Sequence, residues 1–206
     1  VDTINRIRSY SNSLTLNSRS PFVYPLYKLA SVQDKFSRIH RNHGGKVVLK
    51  KRFKGVASGN DGKVTGVNCR RMTVKCKQLV ADPSYFPGKW GKTKKVGKVV
   101  RAICLLRECV PNTNNSKSCH IIIPHNQVGR RNDIYVVCLS DDHNVCDSNW
   151  FTAVVSTRVE TDHPEEELKP GVALLGPVYE KFVSVSDLYE PIDDGRYDNI
   201  FVCSSD

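Results

Sequence analysis

The sequence lacks the usual marks of an enzyme or of a helical membrane protein. Its 206 residues include one Met and two Trp. No two of its eight cysteines are spaced C-x-x-C, which removes zinc knuckles and thioredoxin-type centres. No G-x-G-x-x-G, Walker loop, H-E-x-x-H or G-x-S-x-G occurs, so no dinucleotide, nucleotide, zinc-protease or esterase signature is complete. The longest apolar runs, such as Ala102–Leu106 and Ile134–Leu139, fall well short of the roughly 20 residues of a bilayer-spanning helix. Internal repeats and low-complexity linkers are missing as well. The chain opens on Val1 instead of Met, which reads as an interior cut or processed end of a larger protein.

Charge, by contrast, is plentiful and unevenly placed. The net charge is +10. Lys35–Arg101 carries 19 Lys and Arg against 2 acidic residues, whereas Glu160–Asp206 carries 3 against 12. Two basic runs stand out, Lys46–Lys54 (KVVLKKRFK) and Gly88–Arg101 (GKWGKTKKVGKVVR). The second combines glycines, lysines and one Trp, the composition of a phosphate-tracking loop with a stacking aromatic. No RNP, helix-turn-helix or zinc-finger pattern accompanies it. No nucleic acid is therefore expected, and a solvated basic face or docking to an acidic surface is the favoured reading.

Candidate chemistry is sparse. Cys104, Cys119, Cys138 and Cys203 lie in apolar, strand-like runs and read as buried free thiols of a reducing compartment, ahead of a disulfide framework, which the even count permits, and of a catalytic thiol. His40 and His43 have the spacing of a metal pair on a helix but read as an edge and a solvated histidine. His143, beside Asp141 and Asp142, reads as a loop residue. Glu165–Glu167 marks a helix start, where carboxylates favour the dipole. No local cluster amounts to an active site or a metal site, so binding is the default role.

Periodicity predicts a first helix from Asp2 or Thr3, with Ile4, Ile7, Tyr10 and Leu14 at helical spacing. Pro21–Tyr27 (PFVYPLY) is expected to be extended. Ser31 with Asp34 resembles a capping box, which predicts a second helix over Ser31–His43, stopped by Gly44-Gly45. Strands are predicted thereafter: Lys46–Lys50, a hairpin around Gly59–Gly62, Met72–Ala81, Val99–Leu106, Cys119–Ile123, Ile134–Ser140, Phe151–Val159, Phe182–Val185 and Asn199–Cys203. A helix within Glu165–Val178 is expected to break early at Pro170-Gly171. Many strands and few helices predict an α+β fold with mixed or antiparallel sheets.

Several blocks are more specific. Ser20–Tyr27 (SPFVYPLY) precedes Phe36, Arg38 and Gly44-Gly45; further on come CKQLVADPSY (Cys76–Tyr85), PNTNNSKSCHIIIPHNQ (Pro111–Gln127), DIY (Asp133–Tyr135), VVSTRVET (Val154–Thr161) and FVSVSDLYEPIDDG (Phe182–Gly195). In order and approximate spacing these blocks resemble the family of Rab GDP-dissociation inhibitors and Rab escort proteins. Those from Pro111 and Phe182 look more like the inhibitors. The resemblance covers nearly the whole chain.

That resemblance implies a non-enzymatic cytoplasmic protein that binds GDP-bound prenylated Rab GTPases, inhibits GDP release and recycles Rab from membranes in vesicle traffic. It implies a fold like that of flavin oxidoreductases but without flavin or any other cofactor. Residues 1–18 are expected to be the last helix of a small helical domain, and 19–206 the second half of a sheet-rich large domain whose glycine-rich N-terminal half is absent. A Rab-binding platform falls on Ser31, Arg38, Lys46 and Val48. Ser31 stands where the family has an acidic residue, Lys46 and Val48 where it has Thr and Met. Ser20, Phe22, Tyr24 and Tyr27 fall in the region implied to receive the Rab C-terminal tail and in a mobile loop near the membrane, with transient contact to the membrane surface. The alternatives are an escort-type component of Rab prenylation or an inactive truncated relative.

Overall fold

A computed structural model describes residues 2–16, 23–70, 72–86 and 91–204. It contains three α-helices and ten strands among the described residues. The chain divides into two compact units. The first comprises Val1–Gly45, Arg101–Thr157 and Glu165–Val183, and the second Lys46–Val100, Arg158–Pro164 and Ser184–Asp206.

The first unit begins with α1 (Asp2–Leu16) and α2 (Lys28–Asn42). Helix α2 begins three residues before the predicted start. Its N-cap is Tyr27, which makes no side-chain cap bond, so Ser31 lies inside the helix and no capping box forms. A turn at Leu26-Tyr27 leads into the helix instead, and the Asn144 side-chain amide donates to Leu26 O at 3.0 Å.

The chief sheet is ordered β6-β7-β8-β5-β9, from β5 (Thr93–Leu106), β6 (Cys119–Ile123), β7 (Ile134–Ser140), β8 (Phe151–Arg158) and β9 (Glu180–Pro191). β6, β7 and β8 run antiparallel, with Ile121 opposite Val136 and Val136 opposite Val155. Alternate residues are buried: Ala102, Cys104 and Leu106 on β5, Ile134, Val136 and Cys138 on β7, Ala153 and Val155 on β8. This is the period of two that places every second side chain on one face.

Short helix α3 (Lys169–Ala173) packs on β7. Pro170 sits in its first turn, where a missing N–H costs nothing, so it starts the helix that it was expected to break. Gly171 makes the close approach possible. A Cβ there would overlap the Val155 side chain and lie 3.1 Å from Ile134 Cγ2.

The second unit holds the antiparallel sheet β1-β2-β3, from β1 (Phe53–Ser58), β2 (Val64–Cys69) and β3 (Met72–Lys75). The hairpin predicted at Gly59–Gly62 joins β1 to β2. The predicted strand Met72–Ala81 is two strands. Its second piece, β4 (Leu79–Ala81), pairs in parallel with β10 (Ile200–Val202) in another sheet. Val64, Phe86 and Ile200 centre this core. Lys46–Lys50 forms no strand; it has no ladder partner among the described residues, and Lys50 turns into the left-handed region at φ 57°.

All eight cysteines are free, but only Cys104 and Cys138 are buried. Cys119 is half-buried and Cys203, just past β10, is exposed, so the expectation of buried thiols fails at those two. The basic run leading into β5 is a solvated face at Lys94, Lys95 and Lys98, which are exposed, but it is partly paired. Lys92 pairs with Asp193 (2.9 Å) and Asp198 (2.5 Å), Lys95 with Asp187 (2.6 Å), and Lys94 with Glu190 (3.7 Å). Three lysines of the basic run thus meet acidic residues of the C-terminal segment. Burial opposes the charge on Lys92, yet hydrogen bonds to Asp198 and Asp193 outweigh it and raise its pKa.

Candidate functional site

Helix α2 carries the two best-defined platform residues. Ser31 and Arg38 are seven residues apart, two turns, so they share a face about 10 Å apart along the axis. Arg38 is exposed, and it makes no ion pair among the described residues; Ser31 is half-buried. Asp34, Lys35, Arg41 and Asn42 complete this polar side. Leu29, Val32, Phe36 and Ile39 recur at helical spacing on the other flank, and all four are exposed, Phe36 to 68%. The pattern is that of an amphipathic helix whose apolar stripe is uncovered within this chain.

Lys46 and Val48 belong to the second unit. Both are exposed on the irregular segment after Gly45. Across Lys46–Lys54 the lysines and the arginine form no ion pair among the described residues. Ser20 and Phe22 lie outside the described residues.

The two tyrosines part company. Tyr24 is half-buried, with its ring edge-on to His143 at 5.7 Å between centroids. With Val23, Ser118, His120, Leu139 and His143 it lines a cavity of about 390 Å³. Burial holds the His120 ring below the usual histidine pKa, which keeps it neutral at pH 7. His143 Nδ1 is buried with no hydrogen-bond partner among the described residues. Tyr27, three residues on, is 65% exposed. His143 was legible in the sequence only as a loop residue. Its role as a wall for Tyr24 depends on Asn144, whose left-handed backbone (φ 52°) closes the turn Asp141–His143 and whose side chain holds Leu26.

His40 and His43 belong to no group of three or more potential metal ligands among the described residues. The His40 ring instead covers Gly45, where a Cβ would collide with it. Among the described residues no helix is long and apolar enough to cross a membrane.

The family model described as "GDI: GDP dissociation inhibitor" matches residues 1–206. The chain belongs to the GDP dissociation inhibitor family. It is 45% identical over 201 residues to the Rab GDP dissociation inhibitor beta of Rattus norvegicus, covering 98% of this chain and 44% of the relative. It is 43% identical over 205 residues to guanosine nucleotide diphosphate dissociation inhibitor 1 of Arabidopsis thaliana, covering 99% and 45%. The crystal structure of the Rab GDI of Plasmodium falciparum superposes with a TM-score of 0.93 at 39% identity, over 99% of this chain and 46% of that one. The chain therefore spans a little under half the length of the GDP dissociation inhibitors it matches. The mixed α+β fold with antiparallel sheets, expected from strand content and from the resemblance, is the fold observed.

Proposed function

We propose that this chain carries part of the GTPase-binding surface of a Rab GDP-dissociation inhibitor. In this reading the protein holds prenylated Rab in its GDP form, inhibits GDP release and returns Rab from membranes through the cytoplasm. It acts by binding, without catalysis and without a cofactor. The observation that carries the proposal is the likeness to a Rab GDI structure at a TM-score of 0.93 across 99% of the chain. The exposed Arg38 on the polar side of α2 supports it, because a guanidinium with no ion pair among the described residues is available to a carboxylate on the GTPase. Ser31 and Lys46 supply neither the acidic nor the Thr contact that the family resemblance implies at those places, so more of the electrostatic recognition falls to Arg38. Tyr24, with its cavity, and Tyr27 are the proposed receivers of the Rab C-terminal tail.

The test is titration of the full-length protein against prenylated Rab loaded with a fluorescent GDP or GTP analogue, with nucleotide release followed in parallel. Preference for the GDP form and slowed GDP release are expected. Truncating one member of an interfacial charge pair costs about 2–5 kcal/mol, so Arg38→Ala is expected to weaken binding by about 30-fold or more. Equal affinity for the two nucleotide forms overturns the proposal.

A further inference from the structure

The antiparallel register of β6 and β7 sets Cys119 directly opposite Cys138. Directly opposed side chains stand on the same face of a sheet with Cβ atoms about 4.5–5.5 Å apart. A disulfide needs Cβ atoms about 3.5–4.5 Å apart, so an approach of roughly 1 Å closes the bond. β6 is the edge strand of its sheet and has one neighbour, which leaves it free to make that movement. The register therefore sets the two sulfurs side by side on one face of the sheet. We propose that Cys119 and Cys138 form a redox-convertible pair, oxidised by a hydroperoxide to a cross-strand disulfide and returned by a dithiol.

The two residues are fitted to different roles. Cys119 is half-buried and reachable, whereas Cys138 is buried. Hydrogen bonding from Cys138, working against burial, brings the Cys119 thiol down to about 7, which favours its thiolate. Cys138 is pushed up, first by donating its hydrogen bond to Cys119 and then by burial. Cys119 thiolate therefore attacks the peroxide: an S–O bond forms, the O–O bond breaks, and the leaving hydroxide takes up a proton as water. Cys119 is then a sulfenic acid. Cys138 sulfur next attacks the Cys119 sulfur; the S–S bond forms, the S–O bond breaks, and the Cys138 proton leaves with the hydroxide as a second water. The hydrogen bond that raised the Cys138 pKa lapses once Cys119 is no longer a thiolate, which favours this second step.

Two further thiols lie near enough to influence Cys138 electrostatically, Cys109 and Cys146. Both are turned to other partners. Cys109 donates to Asn115 Oδ1 at 3.4 Å, and Cys146 donates to Trp150 O at 3.1 Å. Neither is opposite Cys138 in the ladder, so the pairing is selective.

The experiment treats the folded full-length protein with hydrogen peroxide and blocks remaining thiols with N-ethylmaleimide. Digestion without reductant uses trypsin and chymotrypsin, because cleavage after Leu139 separates Cys138 from Cys146. The expected product is one linked peptide pair joining Cys119 to Cys138, reversed by dithiothreitol, with an unchanged circular dichroism spectrum. In a Cys119→Ser variant the link is absent and Cys138 stays a free thiol. In a Cys138→Ser variant Cys119 stops as a sulfenic acid that dimedone traps. Should Cys138→Ser fail to fold, the Cys119→Ser variant and the wild-type peptide map decide alone. A wild-type protein that gives no link, that joins Cys138 to Cys109 or Cys146, or that carries Cys119 on to a sulfinic acid without a link overturns the proposal.

Discussion

Glu167→Ala is the perturbation whose cost follows most directly from the structure. Arg130 and Glu167 form an ion pair at 2.6 Å, with side chains only 10% and 3% exposed. Arg130 also donates to Thr157 Oγ1 at 3.4 Å, and that hydroxyl donates to Asp133 O at 2.9 Å. The pair ties the segment after β6 to the turn Glu166–Leu168 that leads into α3, both within the first unit. Removing the carboxylate takes the 2.6 Å partner from a guanidinium to which water has little access, a loss that costs about 3–5 kcal/mol. In a domain of 150–250 residues each kcal/mol moves Tm by about 2–4 °C, so a fall of roughly 6–20 °C is expected. Circular dichroism melts of the full-length protein read it. An Arg130→Met/Glu167→Leu double variant is expected to lose far less, because neither charge is then desolvated. A Glu167→Ala protein melting within about 2 °C of wild type, or a double variant as unstable as the single one, refutes the reasoning.

Gly195 has φ 72°, and a Cβ there would strike the carbonyl of Ile200. Gly195→Ala is expected to lower stability by about 2 kcal/mol or more, read from the urea midpoint; an unchanged midpoint would contradict the close approach. Acid sensitivity follows from Lys92, just before β5, and Lys95 within it. The Lys92 and Lys95 hydrogen bonds hold the Asp193 and Asp187 carboxyls below their ordinary range. Stability from these groups is complete above the unfolded pKa of about 4 and is lost as pH falls through the lower folded values. The urea midpoint is therefore expected to drop in acid, and to drop less in a Lys92→Met variant. Equal drops would show that this pairing carries no proton linkage.

The elements that sequence reading placed best were those whose burial shows as alternation. β6 and β7 fall at the predicted bounds because Cys119–Ile123 and Ile134–Ser140 are flanked by turn residues and are apolar on every second position or more. β5 and β9 were read too short for the opposite reason. The first half of β5 presents lysines, and most of β9 is exposed, so neither stretch carries an apolar signature. They are hydrogen-bonded neighbours in the sheet with ion pairs added across them, and the partners lie too far apart in sequence for local pattern to reveal. Lys46–Lys50 has strand-like residues but no neighbour, and propensity without a ladder does not make a strand. At the candidate site, the spacing of Ser31 and Arg38 gave their common face once α2 was granted. Nothing local distinguished Tyr24 from Tyr27, because the difference is made by His143, more than a hundred residues later.

Lys92 and Asp193 are 101 residues apart. A ribosome adding about 5–20 residues per second delivers the aspartate some 5–20 s after the lysine. Throughout that interval the emerging chain is a cationic polymer whose countercharges have not been made, and the order of synthesis, not the strength of any contact, decides when β5 acquires its neutralising strand. Nascent chains arrested before Glu180 are therefore expected to expose β5 to protease, and those arrested well beyond Asp198 to protect it.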